Sequence, residues 1–224
     1  MYINGAWCTP KSNATFDVFN PANGKKIANV ADGTEIDARL AIDAAGSAFP
    51  SWSKSTAYQR ATFLTNAHRI MLSRKDVLAE IMTIEQGKPL KAARNEVQYA
   101  ADFLLWYAEE AKRINGEILP SARPDQRFMV LHQAVGVVAA VTPWNYPISM
   151  ITRKIAPALA AGCCIVLKPA EATPLCAIEM FKIFKEANIP NGVVNLVTAK
   201  DPKPIGEEFT TNPTVAKIMF TGST

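Results

Sequence analysis

The chain has 224 residues, 49% of them hydrophobic and 20% charged, and a net charge of +4 from 24 Lys and Arg against 20 Asp and Glu. That length buries a substantial core, and that apolar share excludes a disordered chain. The basic residues are interspersed with acids rather than gathered into a stripe, which argues against a nucleic-acid partner.

Met1-Tyr2-Ile3-Asn4-Gly5 carries no basic region followed by an apolar run, so no signal peptide is expected. The longest apolar stretch, 155–167, contains Pro157 and Gly162 and is too short to span a bilayer, so no membrane association is expected. Cys8, Cys163, Cys164 and Cys176 fit neither CxxC metal spacing nor a secreted disulfide pattern, and His68 and His132 stand alone. A cytoplasmic protein with reduced thiols and no metal is the expectation.

In chain order, Asn4-Gly5 predicts a hairpin between 2–3 and 6–7, and Asn20-Pro21-Ala22-Asn23-Gly24 a second between 16–19 and 25–30. Thr34 stands where it caps an alanine-rich helix reaching about residue 49, with Glu35 and Asp37 in the first turn and Pro50 as its stop. Helical spacing continues over 58–72, where Ala61, Leu64, Ala67, His68, Met71 and Leu72 share a face, and over 76–86, ending at Gly87. A long helix over about 89–114 is expected to bury Val97, Ala100, Ala101, Leu104, Leu105 and Ala108. This helical region carries no strong catalytic signature.

After Gly116 the texture changes: Pro120, Pro124 and Asp125 read as a linker, and 127–135 as an extended ribbon. From Gly136 strands alternate with helices, with strands over 137–142, 164–168, 193–198 and 215–221 and helices over 148–161, 175–187 and 205–211. Short apolar strands separated by helices predict an α/β fold with a parallel sheet covered on both faces, in which ligands bind at the carboxyl ends of the strands. Four polar strand ends would share that rim: Thr142-Pro143-Trp144-Asn145, Lys168-Pro169-Ala170-Glu171, Thr198-Ala199-Lys200 and Thr221-Gly222-Ser223-Thr224.

Each end has two readings. Asn145, between two prolines, offers a fixed amide that can donate to a developing oxyanion, and equally suits an Asx turn capping the next helix. Lys168 and Glu171, three apart after an apolar strand, match either a ribose clamp or a salt bridge at a helix entrance. Gly222-Ser223-Thr224 suits a pyrophosphate at a helix N-terminus or an ordinary cap. Arg153, early in an apolar helix, is placed either to hold a substrate carboxylate or to face solvent. Cys163-Cys164 opens an apolar strand and reads as small hydrophobes.

Taken in order, Pro143-Trp144-Asn145-Tyr146-Pro147, Ala158-Leu159-Ala160-Ala161-Gly162, Lys168-Pro169-Ala170-Glu171 and Phe220-Thr221-Gly222-Ser223-Thr224 resemble the aldehyde dehydrogenase superfamily. Glu85-Gln86-Gly87-Lys88-Pro89 extends the likeness to essentially the whole chain. Ala108-Glu109-Glu110-Ala111-Lys112-Arg113 and Met150-Ile151-Thr152-Arg153-Lys154 are similar to its succinate-semialdehyde dehydrogenase branch.

The resemblance implies an incomplete Rossmann-like parallel sheet with helices on both faces, preceded by a helical N-terminal region and part of an oligomerisation β-ribbon. Residues 1–120 would be N-terminal strands and helices of the cofactor-binding domain, 121–135 a linker and ribbon, and 136–224 a truncated Rossmann-like portion, with the catalytic domain absent. Asn145 would be the oxyanion donor, and Arg153 would hold the substrate's distal carboxylate. The cofactor would be met by Thr142, Pro143, Trp144, Lys168, Ala170, Glu171, Gly206, Gly222 and Ser223. NAD is preferred over NADP, because Glu171 would disfavour a further phosphate.

By the same resemblance the partners are a nicotinamide dinucleotide, a small aldehyde and further copies in a homo-oligomer. The family's cysteine nucleophile adds to the aldehyde, hydride passes to the nicotinamide, and a glutamate-activated water cleaves the thioester. None of the four cysteines stands in that nucleophile's context, so the isolated chain is expected to be inactive. Two alternatives remain: a non-catalytic product that binds cofactor or pairs with full-length subunits, and an unstable fragment with an exposed sheet edge. Two departures from the family's pattern are Ala199, where glycine is usual, and the proline-rich Asp201-Pro202-Lys203-Pro204.

Overall fold

The computed structural model describes residues 1–222. Tyr2–Ile3 (β1) and Ala6–Trp7 (β2) form a hairpin whose turn residues, Asn4 and Gly5, both have positive φ, 50° and 81°. Asn-Gly is the pair that tolerates this geometry best. Thr15–Phe19 (β3) and Lys26–Ala31 (β4) make a second antiparallel pair. Four helices follow: Glu35–Trp52 (α1), Ala57–Ser73 (α2), Lys75–Gln86 (α3) and Leu90–Glu110 (α4), the last tightening into a 3-10 turn at Ala111–Arg113. Glu117–Pro120 (β5) and Arg127–Val130 (β6) pair as a separate two-stranded ribbon. Val137–Val141 (β7), Ser149–Ala160 (α5), Cys164–Lys168 (β8), Pro174–Glu186 (α6), Val194–Leu196 (β9), Lys203–Thr211 (α7) and Val215–Phe220 (β10) complete the described chain.

The main sheet runs β10-β7-β8-β9-β1-β2. Its first four strands are mutually parallel, in line with the Rossmann-like α/β expectation. The N-terminal hairpin then extends the edge antiparallel, with Tyr2 opposite Leu196. The buried amide of Asn195 secures this join by accepting from Asn4 N at 2.9 Å and donating to Gly192 O at 2.7 Å. All five residues of β8 are buried, as both faces of the sheet are covered. α1 lies along β7, β8 and β9 beside α7, while α5 and α6 pack on β8 and β9, backed by α2, α3 and α4.

Four sequence expectations change. Pro50 does not stop α1, which continues to Trp52; the ring removes one donor near the helix end, Ser53 N still reaches Phe49 O at 2.9 Å, and buried Trp52 packs on Phe63. Leu105 is exposed, on the outer side of α4 beside Trp106. The ribbon strand ends at Val130 rather than 135, and its partner β5 occupies part of the stretch read as linker. β9 covers only 194–196. No described helix is long and apolar enough to cross a membrane.

α1 opens with a capping box in which Thr34 N donates to Asp37 Oδ2 at 2.9 Å, and buried Asp37 also accepts from Lys11 N at 3.0 Å. Glu85, at the end of α3, does the same service for a different helix. Its carboxylate accepts the backbone N–H groups of Leu175 and of Cys176, the latter at 3.0 Å, at the start of α6. Burial pushes the Glu85 carboxyl up to about 7, and the two backbone donors hold it back from rising further.

Two outcomes follow for stability. Gly192 has φ 80°, and a Cβ there would lie 2.7 Å from Ala44 O and 2.9 Å from Ala48 Cβ on α1. Gly192→Ala therefore combines a left-handed backbone with a clash against a helix, and should lower the unfolding free energy by about 2 kcal/mol or more in a urea titration.

The raised pKa of Glu85 means the folded state holds its proton more tightly than the unfolded state. Its contribution is complete below the ordinary carboxyl pKa and is lost as pH rises through about 7. Unfolding free energy should fall by up to about 3 kcal/mol across that window, and Glu85→Gln should flatten this part of the profile.

Candidate functional site

The chain advances along the sheet from β7 to β8 to β9, then doubles back through α7 to lay β10 on the other side of β7. Strand order therefore reverses between β7 and β10, and the crevice at the carboxyl ends of these strands is where open α/β sheets take ligands. Thr142 N donates to Lys168 O at 3.2 Å, and Thr221 N donates to Val141 O at 3.2 Å. The ends of β7, β8 and β10 are thus level. The end of β9 is tied elsewhere: Thr198 Oγ1 donates to Ala31 O at 2.7 Å, Lys200 N donates to Asp32 Oδ1 at 2.8 Å, and Ala199 is buried.

A cleft of about 360 Å³ opens at this reversal. Val141, Ile218 and Phe220 form its sheet wall, Ile205 and Phe209 its helical wall, and Lys168, at the end of β8, also lines it. Gly206 also lines it, and no atom lies within 4 Å of where a Cβ would stand, so the missing side chain leaves open space. The walls suit a flat apolar ring, and the lysine suits an oxygen-rich group attached to it.

Lys168 is 2% exposed, and its Nζ donates to Glu171 Oε2 at 3.2 Å, while the Glu171 side chain remains half in solvent. Burial lowers the Lys168 pKa, and the facing Glu171 carboxylate opposes that shift. Ala170 is buried between them. Trp144 does not line this cleft. It lines a neighbouring one, also about 360 Å³, together with Glu171, Glu85 and Phe19.

Asn145 is exposed in the turn between β7 and α5, flanked by exposed Trp144 and Tyr146, while Pro147 is buried beneath them. Thr142 is buried and Pro143 half-buried. Arg153 is exposed on α5 with its guanidinium 5.8 Å from the Phe103 ring centre, and it makes no ion pair among the described residues. Gly222 is exposed, and a Cβ on it would meet the Phe220 ring at 2.5 Å. Ser223 lies outside the described residues.

Sequence reasoning passed over Lys154. It is buried, and its Nζ donates to Thr221 Oγ1 at 2.6 Å, linking α5 to the end of β10. Burial lowers its pKa, and neighbouring Arg153 adds to the effect, so this amine gives up a proton more readily than an exposed lysine. The signal was present: Lys154 stands three residues after Ile151 and four before Ala158, on the apolar face of its helix.

The cysteines contribute no nucleophile to this rim. Cys8 is exposed next to the N-terminal hairpin, and Cys163, Cys164 and Cys176 are buried. Burial pushes the Cys164 thiol up to about 12 and Cys176 well above its usual value, which keeps both protonated.

A model of the aldehyde dehydrogenase family matches residues 7–224. The chain is 49% identical over 222 residues to Succinate-semialdehyde dehydrogenase [NADP(+)] GabD of Escherichia coli, covering 99% of this chain and 46% of that one. It is 48% identical over 223 residues to Glutarate-semialdehyde dehydrogenase of Pseudomonas aeruginosa, covering 100% and 46%. A crystal structure of succinate-semialdehyde dehydrogenase from Burkholderia pseudomallei superposes with a TM-score of 0.97 at 46% identity, covering 99% of this chain and 46% of that one. The chain thus spans about half the length of the curated relatives it matches. It belongs to the aldehyde dehydrogenase family.

Proposed function

We propose that this chain supplies the dinucleotide-binding side and the oxyanion donor of an NAD(P)-dependent dehydrogenase that oxidises succinate semialdehyde. The observation that carries the reading is the cleft at the strand-order reversal, with apolar walls for an adenine ring and the Lys168–Glu171 pair beside it. Lys168 would donate to ribose or phosphate oxygens, and Glu171 would accept from ribose hydroxyls. Gly206 leaves room at the helical wall, and Gly222 and Ser223 would face the pyrophosphate. When bound, the dinucleotide supplies the acceptor for the hydride lost by the substrate.

The Asn145 amide, open to solvent, is free to donate to an oxygen on which negative charge develops. Arg153, exposed and without an acidic partner among the described residues, would hold a distal carboxylate. That assignment agrees with the relatives named for succinate and glutarate semialdehydes. The thiol that would attack the aldehyde is not one of the four cysteines here, because three are buried and Cys8 lies next to β2, away from the rim. Turnover therefore requires residues other than these, and four free thiols suit a cytoplasmic setting.

A second reading draws on the ribbon. Ile118 and Met129 are 69% and 70% exposed, side by side in the β5–β6 register, and an apolar ribbon of this kind suits pairing with full-length subunits. A mixed oligomer detected by native mass measurement would support it, and its absence would remove it.

For the first reading, calorimetric titration of the 224-residue chain should show saturable heat with NAD or NADP. Lys168→Ala should weaken binding about tenfold or more, since a charge-assisted hydrogen bond is lost. Glu171→Gln should move the NAD-to-NADP preference toward NADP, because a repelling charge is gone. No heat with either dinucleotide would overturn the assignment of the cleft. Oxidation of succinate semialdehyde by the purified chain would overturn the placement of the nucleophile elsewhere.

A further inference from the structure

The turn that carries Asn145 has little packing on its open side, where Trp144, Asn145 and Tyr146 are all exposed. Its other side rests on two charged residues from the helical layer. Glu96, on α4, has a side chain only 1% exposed. Its Oε1 accepts from Ile148 N at 3.0 Å and Ser149 N at 3.2 Å, two amides at the start of α5 that have no partner within the helix. Its Oε2 pairs with Lys88 Nζ.

Lys88, between α3 and α4, carries the contact onward. Its ammonium donates to the backbone O of Asn145 at 2.8 Å and sits 4.0 Å over the centre of the Tyr146 ring. The pair therefore touches the turn at four residues, 145, 146, 148 and 149, and both carboxylate oxygens and the ammonium are committed to the turn or to each other. A buried ion pair is a poor source of net stability, because desolvation offsets most of its attraction. What this one supplies is direction: it fixes the Asn145 carbonyl and thereby the backbone from which the Asn145 amide projects.

We propose that Lys88 and Glu96 are positioning residues for Asn145, acting through the backbone of its turn rather than on any bound molecule. The inference deepens the proposed oxyanion role of Asn145 and rests on that reading for its catalytic meaning. Its geometric content stands independently. The two act through different contacts: Glu96 anchors the start of α5 and holds the Lys88 ammonium, and Lys88 contacts the Asn145 carbonyl directly.

Amide exchange and side-chain NMR on the 224-residue chain test this division of contacts. Glu96→Gln should speed exchange at Ile148 and Ser149 by about tenfold, the loss of one charge-assisted hydrogen bond. Lys88→Met should leave those two amides protected, yet shift the Asn145 side-chain amide resonances and lower their order. Lys88→Arg, which keeps the charge and donors, should restore them in large part. If Lys88→Met lowers overall stability while the Asn145 resonances and their order stay at wild-type values, the pair is structural only and the proposal fails. Should Glu96→Gln not fold, the Lys88 variants still decide the matter. Failure to bind NAD or NADP would count against the proposed function, whereas failure of the Lys88 comparison would count against the clamp.

Discussion

A parallel strand ends without a hairpin to close it, so its carboxyl terminus must hand the chain to a loop while its last carbonyls still need partners. At β7, β8 and β10 this constraint is met by continuing the ladder one residue beyond the strands, through Thr142 N to Lys168 O and Thr221 N to Val141 O. The residues that follow are released together at one level. Because β10 doubles back past β7, the cleft beside Lys168 opens there between the strand ends and α7. The same stacking buries Lys154 against Thr221, which places two lysines near one rim with their charged forms disfavoured by burial.

The helices that leave this rim pose a second problem, since each begins with amides that have no acceptor in the helix. α6 is answered by Glu85 and α5 by Glu96, both buried and both contributed by the helical layer. That layer looks catalytically silent along the sequence, yet it holds the two loops that carry Asn145 and Glu171. The Glu85-Gln86-Gly87-Lys88-Pro89 segment has a physical reason to accompany those loops: Glu85 serves one and Lys88 the other. Gly87, at φ 79°, makes the left-handed turn that separates them.

Much of the α/β half is legible in the residues because its strands are short apolar runs bounded by turn signals, and β8 matches residue for residue. Lys168 and Glu171 are legible for a local reason, being three apart where a strand ends. The features that escape depend on distant partners. Two-residue strands carry no pattern, so membership of β1 in the main sheet cannot be read from Tyr2-Ile3 alone. Glu96 and Glu85 accept from backbone amides 52 and 91 residues away, and an amide has no signature in the sequence. Pro50 misleads because its missing donor matters less at a helix end than in its middle. Leu105 misleads because an apolar stripe wider than the contact leaves one edge uncovered.

The join between Tyr2 and Leu196 also sets an order of events during synthesis. β1 is made well ahead of the strand it pairs with, Tyr2 preceding Leu196 by 194 positions. At about 5–20 residues per second, the hairpin must wait on the order of 10–40 s for its neighbour. Through that interval Tyr2, which in the folded chain lies against Phe181, has no core to enter. Completion of the sheet edge therefore depends on non-local closure, and until β1 docks, the free edge of β9 is open to pairing with a wrong strand.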